Sequence, residues 1–135
     1  MGKNCDIVRG LYEAFARGDV PAVLGAFDPR IQWREAESYI YAAGNPYVGP
    51  NTVATGVFQR LVSDVQNFAV VPGSFFDAGD TVVVEGRYRG TIKATGKPID
   101  AQFAHNWQLN HERVVRFQQY TDTKQWSDAS GGRVS

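Results

Sequence analysis

From Asn4 to Arg17 the apolar residues Ile7, Val8, Leu11, Tyr12 and Phe15 recur at the spacing that stacks side chains on one face of a helix. Gly18 follows as a stop, and Asp19 is placed to cap a second, short helix carrying Val23, Leu24 and Phe27 on one side. Asp28-Pro29 ends that helix, because a proline pushes the residue before it out of the helical region. Beyond it Ile31, Trp33 and Glu35 alternate with Gln32, Arg34 and Ala36 as in a first strand, so Glu35 shares a side with Trp33. The segment Glu37 to Pro50 sets Tyr39, Tyr41 and Tyr47 among Gly44, Asn45, Pro46 and Gly49, the composition of an ordered aromatic loop and a candidate lid. Pro50 then opens a third helix to about Val65, with Val53, Val57, Leu61 and Val65 repeating every four residues.

After Phe68 the period changes to two. Val82, Val84, Gly86 and Tyr88 alternate with Val83, Glu85, Arg87 and Arg89, one row apolar and the other largely polar. Turns at Asp77–Asp80, around Thr95–Pro98 and at Asn110–Arg113 leave connections too short for anything but antiparallel neighbours. Helices first and strands afterwards predict an α+β fold: a strongly curved antiparallel sheet wrapped around three N-terminal helices, enclosing a conical pocket. No internal repeat or linker divides the chain, so residues 1–135 are expected to form one domain. The Ser- and Gly-rich end is expected to be a flexible tail over about 127–135.

Composition narrows the partners. The chain's 135 residues are enough to bury a core without staples, and 14 basic against 14 acidic residues leave no general positive field for nucleic acid or an anionic membrane. The single cysteine, Cys5, has no disulfide partner within the chain, and charged Lys3, Asp6 and Arg9 break up the opening residues, unlike a secretory leader. A cytoplasmic protein is therefore expected. There is no Gly-rich phosphate cradle, no His/Cys cluster at metal spacing and no nucleophile elbow, so neither a metal nor another cofactor is expected.

Polar residues that interrupt apolar rows carry the remaining signal. In the strand Ala101 to Leu109, His105 lies in the row of Ala101, Phe103, Trp107 and Leu109, as a pocket acid/base or as a core histidine held by a backbone carbonyl. Val114 to Asp122 forms the last strand, and parity leaves open whether the row of Tyr120 and Asp122 or that of Phe117 and Gln119 faces inward. Asp122 is then either a pocket carboxylate or a strand-end cap. Glu35, beside Trp33 and Ile31, is either a carboxyl raised towards neutrality by apolar surroundings or an exposed partner of Arg34 or Arg30. Asp122, His105 and Glu35 are the candidate catalytic residues, with Trp33, Tyr41, Tyr47, Phe103, Trp107 and Tyr120 as the candidate substrate-binding wall.

Three segments, VRGLYEAFARGDVPAVLGAFDPRIQWRE, YVGPNTVATGVFQRL and FAHNWQLNHERVVRFQQYTDT, together resemble the superfamily of nuclear transport factor, ketosteroid isomerase and the SnoaL-like polyketide cyclases. That resemblance implies a cone closed by helices and dimerisation through the outer sheet face. Compared with ketosteroid isomerases, Glu35 matches the carboxylate base and His105 falls near the protonated carboxyl that stabilises an oxyanion. The first-helix tyrosine would fall near Leu11, with Tyr12 displaced by one. Compared with polyketide cyclases, His105 pairs with Asp122 of the closing YTDT. Two functions follow as expectations: a cofactor-independent isomerase, cyclase or dehydratase moving a proton on a small hydrophobic carbonyl compound, or a non-catalytic ligand-binding or association domain. A homodimer is expected either way, with Val83, Val115, Phe117 or their opposite-parity neighbours supplying apolar contact and Arg87, Arg89, Gln102 and Gln118 hydrogen bonds.

Overall fold

The structure, a computed structural model, describes residues 2–132. Helix α1 (Lys3–Ala16) buries Cys5, Val8, Leu11, Tyr12 and Ala14 along one stripe. Gly18, at φ 76°, turns the chain out of it, and the Asp19 carboxylate accepts from the Ala22 amide to start α2 (Val20–Gly25). Strand β1 (Phe27–Arg34) begins immediately, before the Asp28-Pro29 break, and a register shift between Phe27 and Gln32 accommodates Pro29, which has no amide to give a ladder. A two-residue strand, β2 (Tyr47–Val48), precedes the helices α3 (Pro50–Val53) and α4 (Gln59–Asp64), which a π-helical turn at Ala54–Phe58 joins without a break. Long strands β3 (Val65–Ala78), β4 (Thr81–Ile92), β5 (Pro98–Asn110) and β6 (Arg113–Thr121) follow, and helix α5 (Thr123–Ala129) closes the described chain.

The six strands form one sheet in the order β2-β1-β6-β5-β4-β3. It is mixed rather than wholly antiparallel: β1 runs parallel to β6, Trp33 opposite Phe117, while β1 and β2 are antiparallel, as are the pairs from β3 to β6, where the short turns require it. The parallel pair needs no short connection, since two helices and four further strands lie between β1 and β6 in the chain. Curvature has a local cause in β4. A Cβ at Gly86 would collide with the Val71 carbonyl and sit 2.6 Å from the Phe103 ring, opposite a register shift between Pro72 and Ser74, so the sheet bends where only glycine fits.

Two expectations are corrected here. Residues 37–50 do not cover the protein as a lid: Tyr39, Tyr41 and Tyr47 are buried, Tyr47 donates to the Tyr41 carbonyl at 2.5 Å, and Tyr41 donates to Asp64 Oδ2 at 2.7 Å. The chain after Trp126 stays helical to Ala129, whose carbonyl accepts from the Thr95 hydroxyl at 2.6 Å; the end of the expected tail, 133–135, lies outside the described residues. Trp126 is wholly buried, with its ring 5.2 Å from Tyr39 and 5.6 Å from Tyr88. Among the described residues, no helix is long and apolar enough to cross a membrane.

Candidate functional site

A cavity of about 60 Å³ lies between the concave face of the sheet and the helices. Its wall is almost entirely apolar, built from Leu11 and Phe15 of α1, Val57, Phe58 and Leu61 of the π turn and α4, and Trp33, Trp107 and Phe117 of the sheet. Phe15, Phe68 and Val70 are the half-buried members of that wall and mark its rim. The Trp33 indole stacks on Phe117 at 3.7 Å and 19°, which fixes the floor as a rigid aromatic plate.

The polar members are few and connected. His105, 4% exposed, has both ring nitrogens occupied by tyrosines: Nδ1 lies 2.6 Å from the Tyr12 hydroxyl and Nε2 lies 2.5 Å from the Tyr88 hydroxyl. The Trp107 indole N–H donates to the Tyr12 oxygen at 2.9 Å, and the Gln119 amide donates to the Tyr88 oxygen at 2.9 Å. Gln119 Oε1 accepts from the Ala36 backbone amide at 3.1 Å, which sets the amide's orientation. Phe103 stacks on the imidazole at 3.9 Å and 10°. With no carboxylate beside it, burial alone pushes His105 down to about 3, so the ring is neutral at physiological pH. Burial likewise raises the Tyr12 and Tyr88 hydroxyls far above the usual tyrosine range.

Glu35 stands apart from this network. It is 2% exposed, it lines the cavity, and its Oε2 has no hydrogen-bond partner. Its backbone is held by Asn45, whose side chain accepts from the Glu35 amide and donates to the Glu35 carbonyl, both at 2.8 Å, in the manner of a paired strand. Burial raises its carboxyl to about 8, against a smaller opposing effect of the Trp33 indole. A carboxyl at that position is poised to hold or release a proton near neutral pH.

Of the residues named from sequence, Glu35, His105, Trp33 and Trp107 converge on the cavity. Asp122 does not: it is exposed, and its carboxylate caps α5 by accepting from the Gln125 amide at 3.2 Å. The inward row of β6 is Phe117 and Gln119, so Asp122 and Tyr120, which is 57% exposed, have the opposite parity. Tyr41 and Tyr47 are buried behind the wall in their own hydrogen bonds, and Phe103 backs the imidazole. The partners of His105 are two tyrosine hydroxyls rather than Asp122. Sequence reasoning missed Tyr39, Tyr88 and Gln119 and placed Tyr12 one residue out of register. The signal for Gln119 was present, since it interrupts the row of Phe117 as His105 interrupts that of Trp107. Among the described residues, no group of three or more His, Cys, Asp or Glu could hold a metal ion.

A curved sheet closed by helices over a buried, mostly apolar cavity with one isolated carboxyl defines a protein of the NTF2-like, ketosteroid isomerase-like fold. Residues 8–117 match the model of the SnoaL-like domain, and the chain belongs to that family. An NTF2-like protein from Burkholderia thailandensis is 32% identical, with a TM-score of 0.91 over 96% of this chain and 98% of that one. TerC, crystallised with polyporic acid, is 20% identical with a TM-score of 0.83 over 95% of this chain and 98% of that one. A hypothetical protein from Catenulispora acidiphila with a ketosteroid isomerase-like fold, in complex with trimethylamine, is 22% identical with a TM-score of 0.76 over 93% and 92%. The last two share the fold. No protein of curated function matches the chain.

Proposed function

We propose that the protein is a cofactor-independent isomerase, cyclase or dehydratase that moves a proton on a small apolar carbonyl compound. The observation that carries this is Glu35: one carboxyl, buried and with Oε2 unpartnered, in an otherwise apolar cavity that also contains tyrosine hydroxyls. In the charged form Glu35 takes the proton from the carbon next to the carbonyl. The C–H electron pair becomes the enolate double bond, and the carbonyl pair moves onto oxygen, where a tyrosine O–H donates to it. Glu35 then returns its proton to a carbon of the enolate system. Known folds of this kind hold molecules as different as polyporic acid and trimethylamine, so the cone tolerates varied ligands.

The cavity limits the substrate. An apolar cavity of roughly 150 Å³ is large enough to take up benzene. At about 60 Å³, this one takes a ring-sized molecule only after side chains at the Phe15, Phe68 and Val70 rim give way. The test is exchange of the protons beside the carbonyl of cyclopentanone in D₂O. Glu35→Gln should slow the enzyme-dependent exchange by roughly a hundredfold to ten-thousandfold. Exchange no faster with wild type than without protein would favour the second function, a non-catalytic ligand-binding domain, for which the closed apolar wall is equally suited. A cytoplasmic location goes with either, and the free, fully buried Cys5 thiol suits a reducing compartment.

The outer face of the sheet is proposed as a homodimer surface. Val71, Phe76 and Tyr120 are 41%, 51% and 57% exposed there, beside the half-buried Val83 and Ala104. Phe117 takes no part, being turned inward and 1% exposed. Arg87 and Arg89 both reach Asp100, at 2.7 and 3.5 Å, and add a polar border.

A further inference from the structure

The hydrogen bonds around His105 do not add up to a closed set, and the surplus is a donor. The Tyr12 oxygen already accepts from Trp107, and the Tyr88 oxygen already accepts from Gln119. Both donors have a fixed direction: an indole N–H can only donate, and the Gln119 carbonyl oxygen is committed to the Ala36 amide. Between the two tyrosines sits an imidazole with one N–H and one bare nitrogen. The bare nitrogen takes the O–H of one tyrosine. The N–H donates to the other tyrosine, whose own O–H is thereby left without an acceptor in this chain of contacts. Both tyrosines line the cavity. One tautomer of His105 therefore frees the Tyr12 hydroxyl, and the other frees the Tyr88 hydroxyl.

We propose that His105 is a tautomeric selector: the Tyr12–His105–Tyr88 chain keeps one tyrosine hydroxyl in reserve for an acceptor oxygen on the ligand, and the imidazole tautomer decides which end of the cavity presents it. Passing from the Nδ1–H to the Nε2–H state moves one proton across each Tyr–His bond while the Tyr12 hydroxyl gives up a proton to water in the cavity and the Tyr88 hydroxyl takes one up from it, so the donor is re-aimed with no change in net charge. The ligand class that fits is an apolar molecule with a carbonyl, enolate or phenolate oxygen, because a ligand that only donates would leave the reserve hydroxyl unsatisfied. His105 is thus a positioning residue that touches the ligand's oxygen only through a tyrosine. The selector deepens the proton-transfer reading of the same cavity, on which its ligand class rests. Its test reads ring nitrogens rather than turnover, so failure of one is told apart from failure of the other.

The test is ¹⁵N NMR of histidine-labelled protein, in which the two histidines, buried His105 and exposed His111, give separate signals. Tyr12→Phe removes the partner of Nδ1, and since a buried N–H without an acceptor is costly, the Nε2–H tautomer should lead by roughly tenfold or more. Tyr88→Phe should give the opposite, Nδ1–H, with similar preference. A residue that merely fills the core would not reverse its tautomer between two variants that keep the ring stacked on Phe103. Cyclopentanone added to wild-type protein should drive His105 to a single tautomer, whereas cyclopentane should leave its nitrogens unmoved. The same tautomer in both variants would overturn the proposal, as would ketone binding that shifts the Tyr12 and Trp107 ring signals while His105 stays unchanged. If a variant fails to fold, the ketone titration of wild type decides; if the ketone does not enter, the variant pair decides.

Discussion

Two buried ionisable residues, Glu35 and His105, should shape the stability of this protein against pH, and they act in opposite senses. Burial raises Glu35 from 4.5 to about 8, so between those values the folded state keeps a proton that the unfolded state has lost, and stability falls as pH rises. Burial lowers His105 from 6.5 to about 3, so between those values the unfolded state binds the extra proton, and stability rises with pH. Their joint contribution therefore climbs from pH 3 to 4.5, is level from 4.5 to 6.5 where the slopes cancel, and falls from 6.5 to 8. The fall amounts to about 2 kcal/mol at about 1.36 kcal/mol per pH unit. Urea unfolding of wild type and Glu35→Gln across that range measures it: the variant should lose the fall above pH 6.5, and an unchanged slope would mean that Glu35 is not buried in its neutral form. Glu35 and His105 were legible in the sequence because each is a polar residue in an apolar row. Asp122 was misplaced because sequence parity cannot say which row of a lone strand faces inward; only the pairing of β6 with both β1 and β5 decides that.

At the level of elements, most of the architecture was readable, since the change of period from about 3.6 to two separates helices from strands unaided. Elements that rest on distant contacts were not. The parallel pairing of β1 with β6 joins chain segments some eighty residues apart, and no local pattern encodes it. Helix α5 is short and carries little hydrophobic pattern; it is held by Trp126 and by Gln125, which accepts from the Asp100 amide at 2.6 Å. Trp126→Ala should therefore cost about 3–5 kcal/mol in urea unfolding, the usual cost of deleting a fully buried large aromatic side chain. A loss under about 1 kcal/mol would show that α5 is not seated on Tyr39 and Tyr88. The β5–β6 turn gives a prediction of opposite sign. His111 and Glu112 form a two-residue loop with φ 49° and 65°, values that glycine adopts without the Cβ penalty. Glu112→Gly should stabilise the protein by about 1 kcal/mol even though it loses the exposed Lys3–Glu112 ion pair. Destabilisation on thermal melting would contradict this.

For the whole molecule, one side of the sheet is covered by helices and the other is bare, and the proposed dimer rests on that asymmetry. Sedimentation at micromolar concentration should give twice the 14.9 kDa of one chain, and Phe76→Lys with Tyr120→Lys should return it to one chain's mass. Wild type sedimenting as a single chain would contradict a dimer on this face. The proposed proton transfer rests on the closed side. An apolar cavity, a sheet that supplies a neutral histidine between two hydroxyls, and a strand end that delivers one carboxyl without a partner all lead to a single physical statement, that Glu35 exchanges its proton near neutral pH. A ¹³C NMR titration of the Glu35 carboxyl, assigned by its loss in Glu35→Gln, measures this directly. A midpoint near 8 is the result expected from its burial, and a midpoint near the ordinary 4.5 would contradict it.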